Sequence, residues 1–220
     1  MQNLTLRGGV GARVDAAIEI KRSRFLTRLV RVEREEEARL VVDEARREHW
    51  KARHHCTAFV LGANGSADQI RRSNDDGEPS GTAGAPILAA LQGAGFIDSI
   101  AVVTRYFGGV LLGAGGLARA YSEAVVAAIE LAQNNSLVVR RTEQALFALT
   151  LDHATAGQVE AELRSRRVEV VKAGYGEEVE LMLSHPDGDA LSAIVADLTA
   201  GRAVIKPRGT RWIDVEPAAH

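Results

Sequence analysis

The sequence predicts an α+β protein built from two domains. Apolar residues recur at strand and helix spacings along the chain, and the pattern restarts after the arginine pair Arg140 and Arg141. Beyond that pair the predicted elements follow the order strand, helix, strand, strand, helix, strand, which is the ferredoxin-like arrangement. We therefore assign residues 1–139 to an N-terminal α/β domain and residues 140–220 to a C-terminal ferredoxin-like domain, since 220 residues suffice for two small domains.

The N-terminal half is predicted to begin irregularly and then to alternate between strands and helices. Residues 1–15 contain three glycines and no apolar period, so we expect a loose lead-in. A helix is predicted at residues 33–48, because apolar positions follow an acidic first turn at helical spacing. Pro86 suits the first turn of a later helix, with Thr82 or Gly84 as its cap. The predicted elements are extended chain at residues 16–32, helix 33–48, strand 54–61, a short partner strand at 69–72, helix 86–91, strand 97–107 and helix 116–133.

The C-terminal half is predicted from shorter periodic segments. Ala145, Phe147, Leu149 and Leu151 occupy alternate positions, as expected of one face of a strand. A helix with an apolar stripe follows, and Gly201 ends the second helix. The predicted elements are strand 145–151, helix 154–164, strand 168–174, strand 179–183, a helix from about 186 to 201, and a strand or hairpin at 203–215.

The composition is that of an ordinary soluble globular protein, with 46% hydrophobic and 25% charged residues. No apolar run reaches the roughly 18 residues of a membrane span, and the N-terminus lacks the apolar core of a signal peptide. Cys56 is the only cysteine, so no intrachain disulfide can form, which fits a reducing compartment. We therefore expect a cytoplasmic protein that does not enter a membrane. The sequence leaves the oligomeric state open.

Two segments carry most of the unusual polar chemistry, and we call them the acidic stretch (residues 73–84) and the glycine-rich stretch (residues 104–117). Carboxylates and hydroxyls are concentrated in the acidic stretch, where burial without partners would cost several kcal/mol. Each stretch leads into a predicted helix N-terminus, where unpaired N–H groups attract anions. We expect the two stretches to form one site.

Each stretch has more than one interpretation. The carboxylates of the acidic stretch are suited to Mg²⁺, to a basic partner or to loop amides, and they are equally suited to ordering their own turn. The glycine-rich stretch matches neither a Walker loop nor a dinucleotide-binding fingerprint. It fits a generic anion site with Arg105 and Arg119 as donors, or tight packing of the backbone against a neighbouring strand.

Candidate ligand-binding residues come from both stretches and from the strand at residues 54–61. His54 and Cys56 are predicted on one strand face, but catalysis by Cys56 is disfavoured because cysteine is usually a small buried hydrophobe. Zinc is disfavoured because a second cysteine is missing. No catalytic residue, metal or cofactor is assigned, and enzymatic activity is left open with a preference against it. The candidates for an anion or ligand site are His54, Asp75, Asp76, Glu78, Ser80, Thr82, Arg105, Tyr106, Gly108, Gly109, Gly113, Gly115, Gly116 and Arg119.

A basic N-terminal region suggests contact with phosphates. Residues 1–56 hold 13 Lys and Arg against 9 Asp and Glu, a net charge of +4. Aromatic residues are sparse there, which favours backbone or shape contacts with structured RNA over base stacking. The alternative is an ordinary solvated surface. The candidate nucleic-acid contacts are Lys21, Arg22, Arg24 and Arg28.

The motifs of the first domain resemble those of the YigZ/IMPACT family over roughly residues 16–130. The resemblance rests on long and unusual segments, so chance similarity is improbable. These are Lys21-Arg-Ser-Arg-Phe25, His54-His-Cys56, Asp75-Asp-Gly-Glu-Pro-Ser-Gly-Thr-Ala-Gly84 with Pro86-Ile87-Leu88, Thr104-Arg-Tyr-Phe-Gly-Gly109, Leu112-Gly-Ala-Gly-Gly-Leu117 and Arg119-Ala-Tyr121. The remainder is similar to the small C-terminal domain of the bacterial members.

The resemblance implies a fold and a cellular context. The first domain would be akin to the second domain of a small-subunit ribosomal protein, and the second to ferredoxin-like domains of elongation factor G. Eukaryotic relatives restrain an amino-acid-sensing kinase pathway, but they carry an extra interaction domain, so kinase control is not transferred. For bacterial members the resemblance implies a cytoplasmic protein linked to translation or RNA.

Three functional hypotheses therefore remain from the sequence. The favoured one is a binding or regulatory protein that contacts the ribosome, structured RNA or a protein of the translation apparatus. The second is an enzyme acting on a phosphorylated small molecule, with a metal at the acidic stretch and phosphate at the glycine-rich stretch. The third is a protein–protein adaptor that uses both stretches as its surface.

Overall fold

The computed structural model describes residues 2–216 of the chain. Within them the chain divides into two compact units, residues 2–141 with 214–216, and residues 142–213. The architecture is mixed α+β with two sheets, which confirms the predicted fold class. Among the helices of these residues, none has both the length and the apolar character needed to cross a membrane.

The first unit is built on a five-stranded sheet. Its elements are β1 (Leu4–Leu6), β2 (Arg13–Ile20), β3 (Ser23–Arg31), α1 (Glu35–Glu48), β4 (His54–Leu61), β5 (Ile70–Asn74), α2 (Gly84–Gly93), β6 (Ser99–Tyr106) and α3 (Gly113–Asn134). The strand order in the sheet is β2-β3-β6-β4-β5, and every neighbouring pair is antiparallel. Strand β4 runs over the residues that the alternation predicts.

Alternation along the strands decides which helices cover each face of this sheet. Phe25 of β3 packs with Ile87 of α2 and Tyr121 of α3 in the larger core. Val30, on the opposite face of the same strand, packs with Val41 of α1 in a smaller one. Helices α2 and α3 therefore cover one face, and α1 covers the other.

The predicted loose lead-in is wrong in part, because residues 1–15 contain a short strand. Leu4 and Leu6 of β1 are buried, and β1 pairs with the first residues of β7 (Val138–Leu151). A three-residue strand is too short to display an apolar period, so pattern analysis misses it. Strand β7 also begins earlier than the predicted residue 145 and continues into the second unit.

Helix α3 begins at Gly113, three residues before its predicted start. Gly115 and Gly116 therefore belong to its first turn and not to a loop. The difference arises because glycine is a poor helix former, so a glycine-rich segment is assigned to a loop by propensity alone. The loop that remains between β6 and α3 covers residues 107–112.

The second unit has the ferredoxin-like topology that its element order predicts. After β7 it contains α4 (His153–Ser165), β8 (Glu169–Tyr175), β9 (Val179–His185), α5 (Gly188–Thr199) and β10 (Ile205–Val215). Strand β7 pairs with both β9 and β10, and β9 pairs with β8, which places the strands in the order β10-β7-β9-β8. Leu149, Leu163 and Leu191 belong to its core.

Candidate functional site

The site is assembled at one end of the sheet of the first unit. Strand β3 begins there, β6 ends there and β4 begins there, because these neighbours are antiparallel. The register places Phe25, Arg105 and His54 side by side across the three strands. Both the acidic stretch and the glycine-rich stretch leave the sheet at this end, so the structure brings them together.

Asp75 holds the acidic stretch in shape. Its carboxylate accepts hydrogen bonds from the backbone N–H groups of Gly81 (2.8 Å), Ala83 (3.0 Å) and Gly84 (2.8 Å). It thereby caps the N-terminus of α2, a role that the sequence suggests for Thr82 or Gly84. The Thr82 hydroxyl donates instead to the carbonyl of Pro79. Burial by itself raises the pKa of the Asp75 carboxyl, but the hydrogen bonds from the three N–H groups outweigh it and hold that pKa below its usual value.

We expect Asp75→Asn to cost about 1–2 kcal/mol of stability at pH 7, because an amide cannot accept all three N–H groups. The folded pKa of Asp75 lies below the unfolded value, so its stabilisation is complete above about pH 4 and disappears as the pH falls through the folded pKa. Urea unfolding at pH 7 and at about pH 3 measures the effect. Asp68→Asn, at an exposed position, is the matched control. Equal stabilities of D75N and the unmodified protein at neutral pH would contradict this assignment.

Asp76 connects the acidic stretch to β4 and to α1. Its carboxylate accepts a hydrogen bond from the backbone N–H of His55 (2.6 Å) and pairs with Arg46 (2.7 Å). Its carbonyl oxygen lies 2.9 Å from Nδ1 of His54, which donates in the Nδ1–H tautomer. Asp76 has φ +44°, a left-handed conformation that aspartate tolerates in turns. His54 therefore serves to hold the turn.

The Glu78 side chain is only 4% exposed, against 21% for Asp76. It accepts hydrogen bonds from Arg105 (2.6 Å) and from the hydroxyl of Tyr121 (2.8 Å). The Arg105 side chain is 7% exposed, and its guanidinium carbon lies 5.6 Å from the ring centroids of both Phe25 and Phe107. A buried charge of either sign requires such a partner, so the two residues form one structural unit.

All three carboxylates of the acidic stretch are thus engaged by donors of the protein itself. Asp75 is held by backbone amides, Asp76 by Arg46 and His55, and Glu78 by Arg105 and Tyr121. Between residues 2 and 216, no group of three or more His, Cys, Asp or Glu side chains could hold a metal ion. Two of the three negative charges are therefore paired with arginines, and the third is stabilised by backbone amides.

Cys56 is fully buried beneath the acidic stretch. Its Sγ lies 3.0 Å from the carbonyl oxygen of Asp75 and 3.2 Å from the hydroxyl oxygen of Tyr121. Burial raises the pKa of the thiol to about 12, so it stays protonated at neutral pH. His54 is bonded to Asp76 and does not act on the thiol as a base. The arrangement lacks the activated thiolate of a cysteine nucleophile.

A groove of about 870 Å³ opens between the two stretches. It brings together five of the predicted residues, namely His54, Glu78, Arg105, Tyr106 and Gly113. Two side chains on its apolar wall reach far into solvent, since Phe107 is 57% and Leu111 83% exposed. Its other lining residues are Lys51, Ala52, Arg53, Pro79, Leu112, Ala114 and Leu117.

Several predicted residues have other roles or lie elsewhere. A Cβ on Gly108 would lie 2.0 Å from the backbone carbon of Arg22, so Gly108 permits close backbone packing on the turn between β2 and β3. Arg119 is exposed on α3 and has no ion-pair partner within residues 2–216. Ser80 is exposed, and Thr82 is buried at the start of α2. Gly109 and Gly113 have φ +85° and +72°, while Gly115 and Gly116 lie in the first turn of α3.

The predicted nucleic-acid residues divide into two kinds. Lys21, Arg22 and Arg24 are exposed at the turn between β2 and β3. The Arg28 side chain is only 5% exposed, and it is bound by Glu48 with Asp15 nearby. Arg28 is thus engaged inside the protein, because its strand position points it under α1 and not toward solvent.

Two basic residues join the exposed ones at this end of the sheet. Lys51 and Arg53 are exposed in the segment before β4 and line the groove. The sequence shows them as part of a general basic region, but only the strand order brings them next to the glycine-rich stretch. Tyr121 is the contact that the sequence does not reveal, since its spacing indicates only a core position on α3.

Comparisons with known proteins cover both units. Residues 21–129 match the model described as the Impact N-terminal domain, and residues 149–202 match a domain of unknown function, DUF1949. The IMPACT family member YvyE of Bacillus subtilis is 40% identical over 86% of this chain and 85% of its own. The IMPACT family member YigZ of Escherichia coli is 38% identical over 86% of this chain and 92% of its own.

Two solved structures are similar to this chain to different degrees. A crystal structure of a hypothetical protein matches with a TM-score of 0.64 and 36% identity, covering 93% of this chain and 97% of the other. The two-domain translational regulator Yih1 is 26% identical and covers 55% of this chain and 45% of its own, with a TM-score of 0.35 that supports no structural argument.

Proposed function

Because the chain belongs to the IMPACT family, we propose that it is a translation-linked regulatory protein that binds the ribosome or structured RNA through the basic end of its first unit. We define this basic end by five exposed side chains. Two segments at the same end of the sheet, which the end of β6 separates, supply them: Lys21, Arg22, Arg24, Lys51 and Arg53.

One observation carries the proposal: the carboxylates beside this end are already paired, and the exposed cations are not. Asp75, Asp76 and Glu78 each accept hydrogen bonds from inside the protein. Within residues 2–216, none of the five cations has a carboxylate within ion-pair distance. Five exposed cations therefore stand against one exposed carboxylate of the same strand pair, Glu19 opposite Arg24, and this excess of positive charge suits contact with phosphates.

Contacts with the phosphate backbone of RNA predict that binding weakens strongly as the salt concentration rises. If four of these side chains each neutralise one phosphate, raising the salt from 50 to 200 mM weakens binding by about 100-fold. Sedimentation of the protein with purified ribosomes at both salt concentrations measures this. Association that is absent at low salt, or indifferent to salt, would contradict the proposal.

We expect the Arg22→Glu, Arg24→Glu double variant to lose most of its ribosome association at 50 mM salt. Both side chains are exposed and outside any ion pair, but Arg24 faces Glu19 across the β2–β3 pair, so the new like charge should lower stability by up to about 1 kcal/mol. The matched control is Arg167→Glu with Lys172→Glu, which makes the same charge change on exposed residues of the second unit. Arg167 also shares the left-handed conformation of Arg22, with φ +64° against +65°. Equal loss in both double variants would point to net charge alone.

A second candidate function is binding to a protein of the translation apparatus. Exposure of Phe107 and Leu111 at the edge of the groove favours it, because large apolar side chains in the open often mark protein contacts. Pull-down from a nuclease-treated lysate separates the two: a protein partner retained after RNA digestion supports the adaptor, and complete loss supports RNA. The enzyme hypothesis has less support, because the carboxylates it needs for a metal are bonded within the protein.

A further inference from the structure

The groove between the two stretches combines a cationic edge with an exposed aromatic ring. Its lining includes the cations Lys51 and Arg53 together with the apolar side chains Phe107 and Leu111. Its volume of about 870 Å³ falls within the range of small-molecule sites. An anion without an apolar part would leave the wall of Phe107 and Leu111 unused, and an apolar ligand would leave the cations unused.

We propose that this groove binds one nucleotide, with its phosphate at the cationic edge and its base stacked on Phe107. The ligand is either a free nucleoside monophosphate or the terminal nucleotide of an RNA strand, which share this chemistry. Where the ligand is the end of an RNA strand, the inference rests on the proposed function. A terminal nucleotide held in the groove would then add to the contacts that the basic end makes with the RNA backbone.

Arg105 is a groove residue whose hydrogen-bonding capacity is only partly used. The side chain lines the groove and is 7% exposed, yet it uses only Nη1, for its bond to Glu78. Its Nε is buried and has no hydrogen-bond partner within the described residues. The guanidinium therefore keeps hydrogen-bonding capacity that Glu78 does not use and that an acceptor in the groove can engage. Since Glu78 cancels the charge of Arg105, we expect Arg105 to orient the ligand by hydrogen bonding, with Lys51 and Arg53 supplying the charge.

The start of α3 faces the same groove. Gly113 and Ala114 line it, no side chain caps this helix, and its first turn contains no acidic residue. The N–H groups of a first helical turn have no partners within the helix and attract a phosphate. Glycine at positions 113 and 115 keeps the approach to these groups free of side chains.

Phe107 provides the surface for a base. One side of its ring is occupied by the Arg105 guanidinium, 5.6 Å from the ring centroid, and the side chain remains 57% exposed. Stacking of a base on an aromatic side chain changes affinity by about 5- to 100-fold when the ring is removed. A single ring suits a single nucleotide, which agrees with the scarcity of aromatic residues in the basic N-terminal region.

The test is titration of the full chain with adenosine monophosphate, adenosine and inorganic phosphate, followed by calorimetry or NMR. We expect adenosine monophosphate to bind at least 10-fold tighter than either fragment, because only it engages both walls. Phe107→Ala should weaken adenosine monophosphate about 5- to 100-fold and leave phosphate unchanged. Lys51→Ala with Arg53→Ala should weaken both. Tyr175→Ala, which removes an exposed aromatic residue of the second unit, is the control and should change neither.

Two results would overturn the inference: adenosine monophosphate binding no tighter than phosphate, or an unchanged affinity in F107A. If ribosome association persists in either case, the nucleotide groove is wrong and the proposed function stands. Adding a short RNA with a terminal phosphate to the complex with adenosine monophosphate shows whether the groove takes a free nucleotide or the end of an RNA strand. Competition with adenosine monophosphate supports the end of an RNA strand, and undisturbed nucleotide binding supports a free nucleotide.

Discussion

Replacing Glu78 with alanine is expected to lower the free energy of unfolding of the first unit by about 3–5 kcal/mol. Glu78 is the only carboxylate that pairs with Arg105 among the residues described, and both side chains are almost fully buried. Its removal leaves a buried guanidinium without a counter-charge and the Tyr121 hydroxyl without its acceptor.

Hydrogen exchange of β6 and α3 measures this loss within the first unit. Glu130→Ala is the matched control, since Glu130 lies exposed on α3 and its loss should cost less than about 0.5 kcal/mol. Arg105→Ala completes a double-mutant cycle. The double variant should be more stable than the sum of the two single losses predicts, because it leaves no unpaired charge. Additive losses would show that Glu78 and Arg105 do not depend on each other.

Replacing Gly108 with alanine should cost about 3 kcal/mol or more, because the new methyl group meets backbone and not a movable side chain. Its Cβ would lie 2.0 Å from the carbonyl carbon of Arg22 and 2.4 Å from the nitrogen of Ser23. The turn between β2 and β3 would have to move away from the glycine-rich stretch. The cations of that turn would move with it, so we also expect weaker ribosome association.

Gly115→Ala makes the same chemical change where nothing lies within 4 Å. Since Gly115 is in the first turn of α3, alanine there should leave stability unchanged or raise it by up to about 1 kcal/mol. Thermal or urea unfolding of the two variants side by side isolates the effect of close packing. Similar stabilities would mean that the approach of Gly108 to Arg22 is not tight.

The elements that the sequence predicts well are those with several turns or alternations of their own. Helix α1 shows an apolar stripe over four turns, and β4 alternates over eight residues, so local pattern suffices for both. Strand β1 has three residues, and it is a strand only because β7 lies beside it. No local pattern carries that information.

In the candidate site, too, some features follow from the local sequence and others depend on residues that are distant in the chain. The composition of the acidic and glycine-rich stretches identifies the region that carries the polar chemistry, because such residues are rare in a core. It does not show whether each residue is available to a ligand. Arg28 and Arg24 look alike in the sequence, but one lies beneath α1 beside Glu48 and the other faces solvent.

The sequence by itself determined the helices and most of the strands, the ferredoxin-like second unit, the family, and the two stretches of the first domain in which the unusual residues cluster. Only the tertiary structure decided which charges remain free there. Glu78 is paired by Arg105 and Tyr121, which lie 27 and 43 residues away along the chain. Whether a charge is paired depends on what folding brings within about 3 Å of it, and residue spacing along a sequence does not contain that distance.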